Sequence, residues 1–61
     1  MTTYNDLYMD IRRKLRQAGY PAAGLEAREL VCCGSRKTKA ELIRDAWKYV
    51  PPETEREIRS E

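Results

Sequence analysis

The apolar positions of the opening segment repeat with helical spacing. Tyr4, Leu7, Tyr8, Ile11, Leu15 and Ala18 are separated by 3, 1, 3, 4 and 3 residues. At roughly 100° per residue they share an arc of about 100°. Asp6, Asp10, Arg13 and Gln17 take the opposite side. Thr3 is suited to cap the start, with Asp6 three residues on as its acidic partner. Gly19 suits the position after the last turn, and Pro21 prevents continuation. The spacing predicts a helix over 3–18, with Asp10 and Lys14 paired at i,i+4 on its polar face.

A second helix is expected to start between Ala22 and Leu25. Ala23, Ala27, Leu30 and Val31 share one face, while Leu25 and Cys32 lie on another. Such a helix is contacted from two directions, as in the middle of a small bundle. Gly34 and Ser35 are expected to end it. Thr38-Lys39-Ala40-Glu41 matches the capping box and opens a third helix with Leu42, Ile43, Ala46 and Trp47 as its apolar face. Pro51 and Pro52 end that helix or the loop after it. Pro52 also fits the first turn of a fourth helix, where Glu53 and Glu55 sit near the positive end of the helix dipole. From Glu53 to Glu61 the sole large apolar residue is Ile58. A surface helix normally presents three or four core positions in two turns, so this segment reads as a helix whose remainder lies beyond Glu61.

Strict apolar–polar alternation never lasts long enough for a strand. The expected fold is therefore all-α, a small bundle of about four short helices forming a single domain over 1–61. Its expected core is Leu7, Ile11, Leu15, Ala27, Leu30, Val31, Leu42, Ile43 and Trp47, with Tyr4, Tyr8 and Ile58 at the edges. Trp47 is cast as the main core plug, because a chain this small needs its largest side chain inside. The competing reading makes Trp47 and Tyr49, near Lys48 and Arg44, a stacking platform for nucleic-acid bases.

Size limits the chemistry. A chain of 61 residues buries only about 60% of the surface its unfolded form exposes. The walls of a large enclosed active site would use up its core. No run of about 18 apolar residues offers a membrane span. The polar N-terminus lacks the apolar stretch of a secretory signal. Twelve basic and ten acidic residues give a net charge of +2, a mild bias where nucleic-acid modules usually carry a strong basic stripe.

Histidine is absent, which removes the commonest general base and metal ligand. Cys32 and Cys33 are adjacent, so they cannot staple distant segments. They are expected to act as buried or half-buried small hydrophobes in a reducing, cytoplasmic setting. Glu53 with Glu57 and Asp6 with Asp10 are paired carboxylates, but exposed helix faces give them no cleft to perturb their pKa values. No residue is assigned a catalytic, cofactor-binding or metal-binding role. Two basic runs, Arg12-Arg13-Lys14 with Arg16, and Arg36-Lys37 with Lys39, are chiefly solvated faces. Within them Arg12, Arg16, Lys37 and Lys39 are the candidates for contacts with acidic groups on a partner.

The order of the segments carries a resemblance. An amphipathic opening helix ends in Ala18-Gly19. Leu25-Glu26-Ala27-Arg28-Glu29-Leu30 follows, then Lys37-Thr38-Lys39-Ala40-Glu41-Leu42-Ile43-Arg44-Asp45, and then Tyr49-Val50-Pro51-Pro52-Glu53. Over roughly Tyr4 to Ile58 this resembles the N-terminal domain of the bacterial release-factor glutamine methyltransferases, the HemK-type family. Each motif is short and weakly specific; their order and spacing make the likeness. The resemblance implies a parent enzyme that uses S-adenosylmethionine to methylate the glutamine of the Gly-Gly-Gln loop of translation release factors. It also implies that this helical domain helps hold the release factor while a following Rossmann-like domain does the chemistry. The family's catalytic Asn-Pro-Pro-Tyr is absent; Val50-Pro51-Pro52 is a superficial echo in a helix connection. The cofactor and catalytic residues therefore map to no position here, and the chain alone is expected to be inactive. The alternative is a free-standing helical module that binds nucleic acid or protein through its basic runs.

Overall fold

A computed structural model describes residues 1–60. Four helices follow one another: α1 (Tyr4–Gln17), α2 (Ala23–Ser35), α3 (Lys39–Arg44) and α4 (Pro52–Arg59). The described residues contain no strand, and a lone antiparallel bridge joins Thr3 to Tyr49. The all-α bundle expected from the sequence is the observed architecture.

The ends of α1 follow the local sequence. Thr3 Oγ1 accepts from the Asp6 amide at 3.1 Å, and Asp6 Oδ2 accepts from the Thr3 amide at 3.3 Å. This reciprocal box satisfies two of the amides that a helix start leaves unpaired. At the other end Gly19 adopts φ +90°. The Tyr20 amide reaches back to the Leu15 carbonyl and the Gly19 amide to that of Arg16, both at 3.1 Å. That paired closure needs a left-handed residue at Gly19, where an L side chain would be strained.

Helix α2 ends at Ser35, where expected. Gly34 lies inside the helix, and Arg36 takes the left-handed position with φ 58°. The Lys37 amide then bonds the Cys32 carbonyl at 2.9 Å. A left-handed arginine costs about 1–2 kcal/mol, so glycine placement alone would have favoured stopping earlier. Gly34 is needed elsewhere: Ile58 of α4 packs directly on it, where a Cβ would overlap Ile58 Cγ1. The glycine serves close helix packing, and the turn falls to the arginine.

Thr38 and Glu41 form the expected box at α3, with hydrogen bonds of 3.1 and 2.9 Å. The helix stops at Arg44, one turn short of the expected apolar stripe. The reason lies at the start of α1. The Asn5 amide bonds the Ala46 carbonyl at 2.9 Å and the Tyr4 amide bonds the Lys48 carbonyl at 3.0 Å. The Val50 amide bonds the Thr2 carbonyl at 2.8 Å. Residues 45–50 thus turn away from helical geometry and satisfy amides at the N-terminus of α1.

This change of direction corrects two core assignments. Trp47 is 77% exposed and Ile43 71% exposed, while Val50 is 3% exposed and takes the place expected for the tryptophan. The core is Tyr4, Leu7, Ile11, Ala27, Val31, Leu42, Val50 and Ile58, with Tyr8, Leu15 and Leu30 packed partly against it. Ala23 is also buried. Tyr4 and Ile58 are thus core residues proper, and Leu15 and Leu30 lie at the margin. Helix α2 packs against α1, α3 and α4, as its two apolar faces suggested.

Pro52 occupies the first turn of α4, with Glu53 and Glu55 beside it and Arg56 and Arg59 in the last turn. Ile58 is the buried residue of this helix. Polar contacts supplement it: Thr2 Oγ1 donates to Glu55 at 3.1 Å, and Arg59 bridges Glu55 at 2.8 Å and Asp10 at 3.2 Å. The expected Asp10–Lys14 pair is not formed; Asp10 instead takes Arg59 and, at 3.8 Å, Arg13.

Candidate protein-interaction surface

Tyr8, Arg12 and Arg16 are spaced four residues apart on α1 and therefore form one stripe along it. The stripe borders α2, where Gly24 leaves room for it: a Cβ there would lie 3.4 Å from the Tyr8 hydroxyl. Arg28 of α2 approaches from the other side. A cleft of about 220 Å³ opens at this junction, lined by Tyr4, Tyr8, Arg28, Leu42, Ile43 and Ala46 together with Asn5. A second, more open groove continues from Tyr8 and Arg28 past Arg12 and Arg16 toward Tyr20 and Leu25. No acidic side chain lines either one. Among the described residues Arg12, Arg16 and Arg28 have no carboxylate partner within salt-bridge distance.

Of the four candidate residues, then, the structure brings Arg12 and Arg16 together. Lys37 has a different environment. Its ammonium lies 2.8 Å from Asp45 Oδ2 and 5.0 Å from the centre of the Tyr4 ring. The bond to Asp45 raises its pKa, so it stays charged, but that charge is engaged within the fold. Lys39 is exposed in the first turn of α3 and lines neither groove. Arg28 is the residue that sequence reasoning missed. It stands three residues after Leu25 and four before Cys32, on the same second face of α2, and that spacing was the available signal.

Asp45 is the other electrostatic centre. It is 2% exposed, yet Lys37, Arg44 and Lys48 all contact it, at 2.8, 3.0 and 3.4 Å. Hydrogen bonds from Arg44 and Lys37 hold its carboxyl well below the usual carboxylate range. This hub ties the 45–48 turn to the segment after α2, and its cations are committed to structure. Trp47 and Tyr49 project from that turn, exposed.

Cys32 is half-buried, and burial pushes its thiol pKa up, which suits a small hydrophobe. Cys33 is exposed, contrary to expectation, because it falls on the solvent side of α2. Among the described residues no cluster of three or more His, Cys, Asp or Glu could hold a metal ion. No described helix is long and apolar enough to cross a membrane. The arrangement can bind: it offers an apolar cleft with guanidinium groups along one side. No protein-family model, curated protein or solved structure matches the chain significantly.

Proposed function

We propose that this chain is the substrate-recruiting helical domain of an S-adenosylmethionine-dependent methyltransferase that modifies a glutamine of translation release factors. The observation that carries the recruiting role is the cleft between α1, α2 and α3, where Arg28 and the exposed Ile43 share the lining and a groove flanked by Arg12 and Arg16 continues from it. The choice of release factor as substrate rests on the resemblance of the ordered segments to the HemK-type N-terminal domain. A bundle of this size contributes by docking. Holding a large protein substrate beside a separate catalytic domain makes attack on one glutamine effectively intramolecular. In this reading the cofactor and the catalytic groups belong to a separate catalytic domain, and the setting is the cytoplasm, where release factors work.

The test is titration of the chain with a purified bacterial release factor, followed by calorimetry. Saturable binding that weakens with added salt supports the reading. Absence of binding at tens of micromolar, with tight and salt-steep binding to single-stranded RNA instead, refutes it in favour of a nucleic-acid module.

A further inference from the structure

We infer that the α1–α2–α3 groove receives an acidic segment of a protein partner, with one apolar side chain of that segment seated in the cleft beside Tyr8, Leu42 and Ile43. This deepens the recruiting reading: it names the chemistry of the contact, and it rests on that reading only for the partner's identity.

Two features select the occupant. The first is charge. Arg12, Arg16 and Arg28 converge on the groove, and no carboxylate from the described residues neutralises them. Elsewhere Lys37, Arg44 and Lys48 are committed to Asp45 and Arg59 to Asp10 and Glu55, and the remaining basic side chains line neither the cleft nor its continuation. A complementary partner therefore carries acidic groups, and guanidinium groups suit them because they pair with carboxylates two bonds at a time. The second feature is the apolar end. Leu42, Ile43 and Ala46 wall the cleft, and Ile43 stands largely exposed there. An aliphatic or aromatic anchor gains from covering that wall.

The spacing sets a register. Eight residues separate Tyr8 from Arg16, a rise of about 12 Å along α1. An amphipathic helix lying in the groove would place carboxylates four residues apart against Arg12 and Arg16, with its apolar residue toward Tyr8. Nucleic acid fits less well. The Tyr4 ring is buried and covered by Lys37, so it offers no face for base stacking. Of the exposed rings, Trp47 and Tyr49 line neither groove and Tyr20 alone does, where single-strand binders stack successive bases on several rings.

The probe is a synthetic amphipathic helix carrying a leucine stripe flanked by glutamates, with a glutamine-substituted version as control. Binding is followed by amide and methyl chemical shifts of the chain. The expected result is saturable shifts at Tyr8, Arg28 and Ile43 with the glutamate peptide, weaker by about tenfold with the glutamine peptide. Arg12→Glu with Arg16→Glu should weaken binding by a similar factor, while Lys39→Glu leaves it unchanged. Arg16→Glu alone, at an exposed site, keeps the test valid if the double variant loses its helical circular dichroism. Equal binding of both peptides, shifts centred on Trp47 and Tyr49, self-association in place of peptide binding, or preferential binding of single-stranded RNA would each overturn the inference. A release factor that binds equally well to the wild type and to the Arg12/Arg16 variant sinks the groove but leaves the recruiting reading standing. A glutamate peptide that binds in the groove when no release factor does has the opposite meaning.

Discussion

Replacing Ile58 with alanine should detach α4. Ile58 is 3% exposed and is the buried residue of its helix. The substitution removes three carbons, and at about 0.8 kcal/mol per buried methylene the transfer loss alone is about 2.4 kcal/mol. Residual cavity adds to this, although a site at the edge of the bundle can partly collapse, so the expected loss is about 2–3 kcal/mol. A core of this size supplies roughly 3–5 kcal/mol in total. The remaining ties of α4, a part-buried hydrogen bond from Thr2 to Glu55 and an exposed pair from Arg59 to Asp10, are too weak to compensate. Urea titration followed by far-ultraviolet circular dichroism gives the loss, and amide hydrogen exchange locates it. Protection should vanish first in 52–59 and persist in α1 and α2. The partner glycine supplies a stricter check. Gly34→Ala in the wild type gains up to about 1 kcal/mol of helix propensity but overpacks against Ile58 at a cost of about 1–3 kcal/mol. With Ile58→Ala already present the overlap is gone, and the same change should stabilise. A sign that does not reverse, or a loss below about 1 kcal/mol for Ile58→Ala with α4 still protected, would refute the packing account.

Three further outcomes follow from local chemistry. Thr38→Ala removes the hydroxyl that caps α3 and should cost about 1 kcal/mol in urea titration, with Thr38→Ser restoring most of it. Asp45 titrates below the usual carboxylate range in the folded chain, so its contribution is present above the unfolded pKa of about 4 and is lost as the pH falls toward the folded value. Thermal melts should therefore show the midpoint dropping as pH is lowered from about 5 to 2. Asp45→Asn should lower the neutral-pH midpoint and flatten that drop, with Glu41 and Glu55, also shifted down, leaving a residual slope. Trp47→Ala should change stability by no more than about 0.5 kcal/mol, and wild-type tryptophan emission should shift little on unfolding; a large blue-to-red shift would restore Trp47 to the core.

The parts of the fold that were legible are those written in neighbouring residues. Both threonine capping boxes, the left-handed Gly19 and the proline that opens α4 depend on contacts no more than a few positions apart, and each forms as its sequence suggests. The failures share a cause in long-range pairing. Residues 45–47 read as helix because Ala46 and Trp47 continue the period of Leu42 and Ile43. The carbonyls of Ala46 and Lys48 are claimed by amides of Asn5 and Tyr4, more than forty residues earlier. Asp10 prefers Arg59 to its helical neighbour Lys14 for the same kind of reason. Gly34 and Ser35 do mark the end of α2, but the packing role of Gly34 was hidden because Ile58 lies on another helix. At the surface, Arg12 and Arg16 were named as candidates, but their alignment on one stripe was not read from their spacing. The engagement of Lys37 was hidden because its carboxylate partner emerges from a turn that was itself not foreseen.

The fold also explains how a nearly balanced charge count produces a positive groove. The excess of basic over acidic residues is two, too small to steer a partner if spread evenly. Folding does not spread it evenly. Asp6 and Glu41 are used in caps, Asp45 in the hub, and Asp10 and Glu55 on Arg59. Glu26, Glu29, Glu53 and Glu57 line neither the cleft nor its continuation. Five carboxylates are thus engaged in caps, in the hub and on Arg59, the other four line no part of the groove, and the guanidinium groups of Arg12, Arg16 and Arg28 face it without them. The same interactions that hold four short helices together leave that groove cationic and apolar at once, which is why the proposed recruiting role rests on the location of the charge more than on its amount.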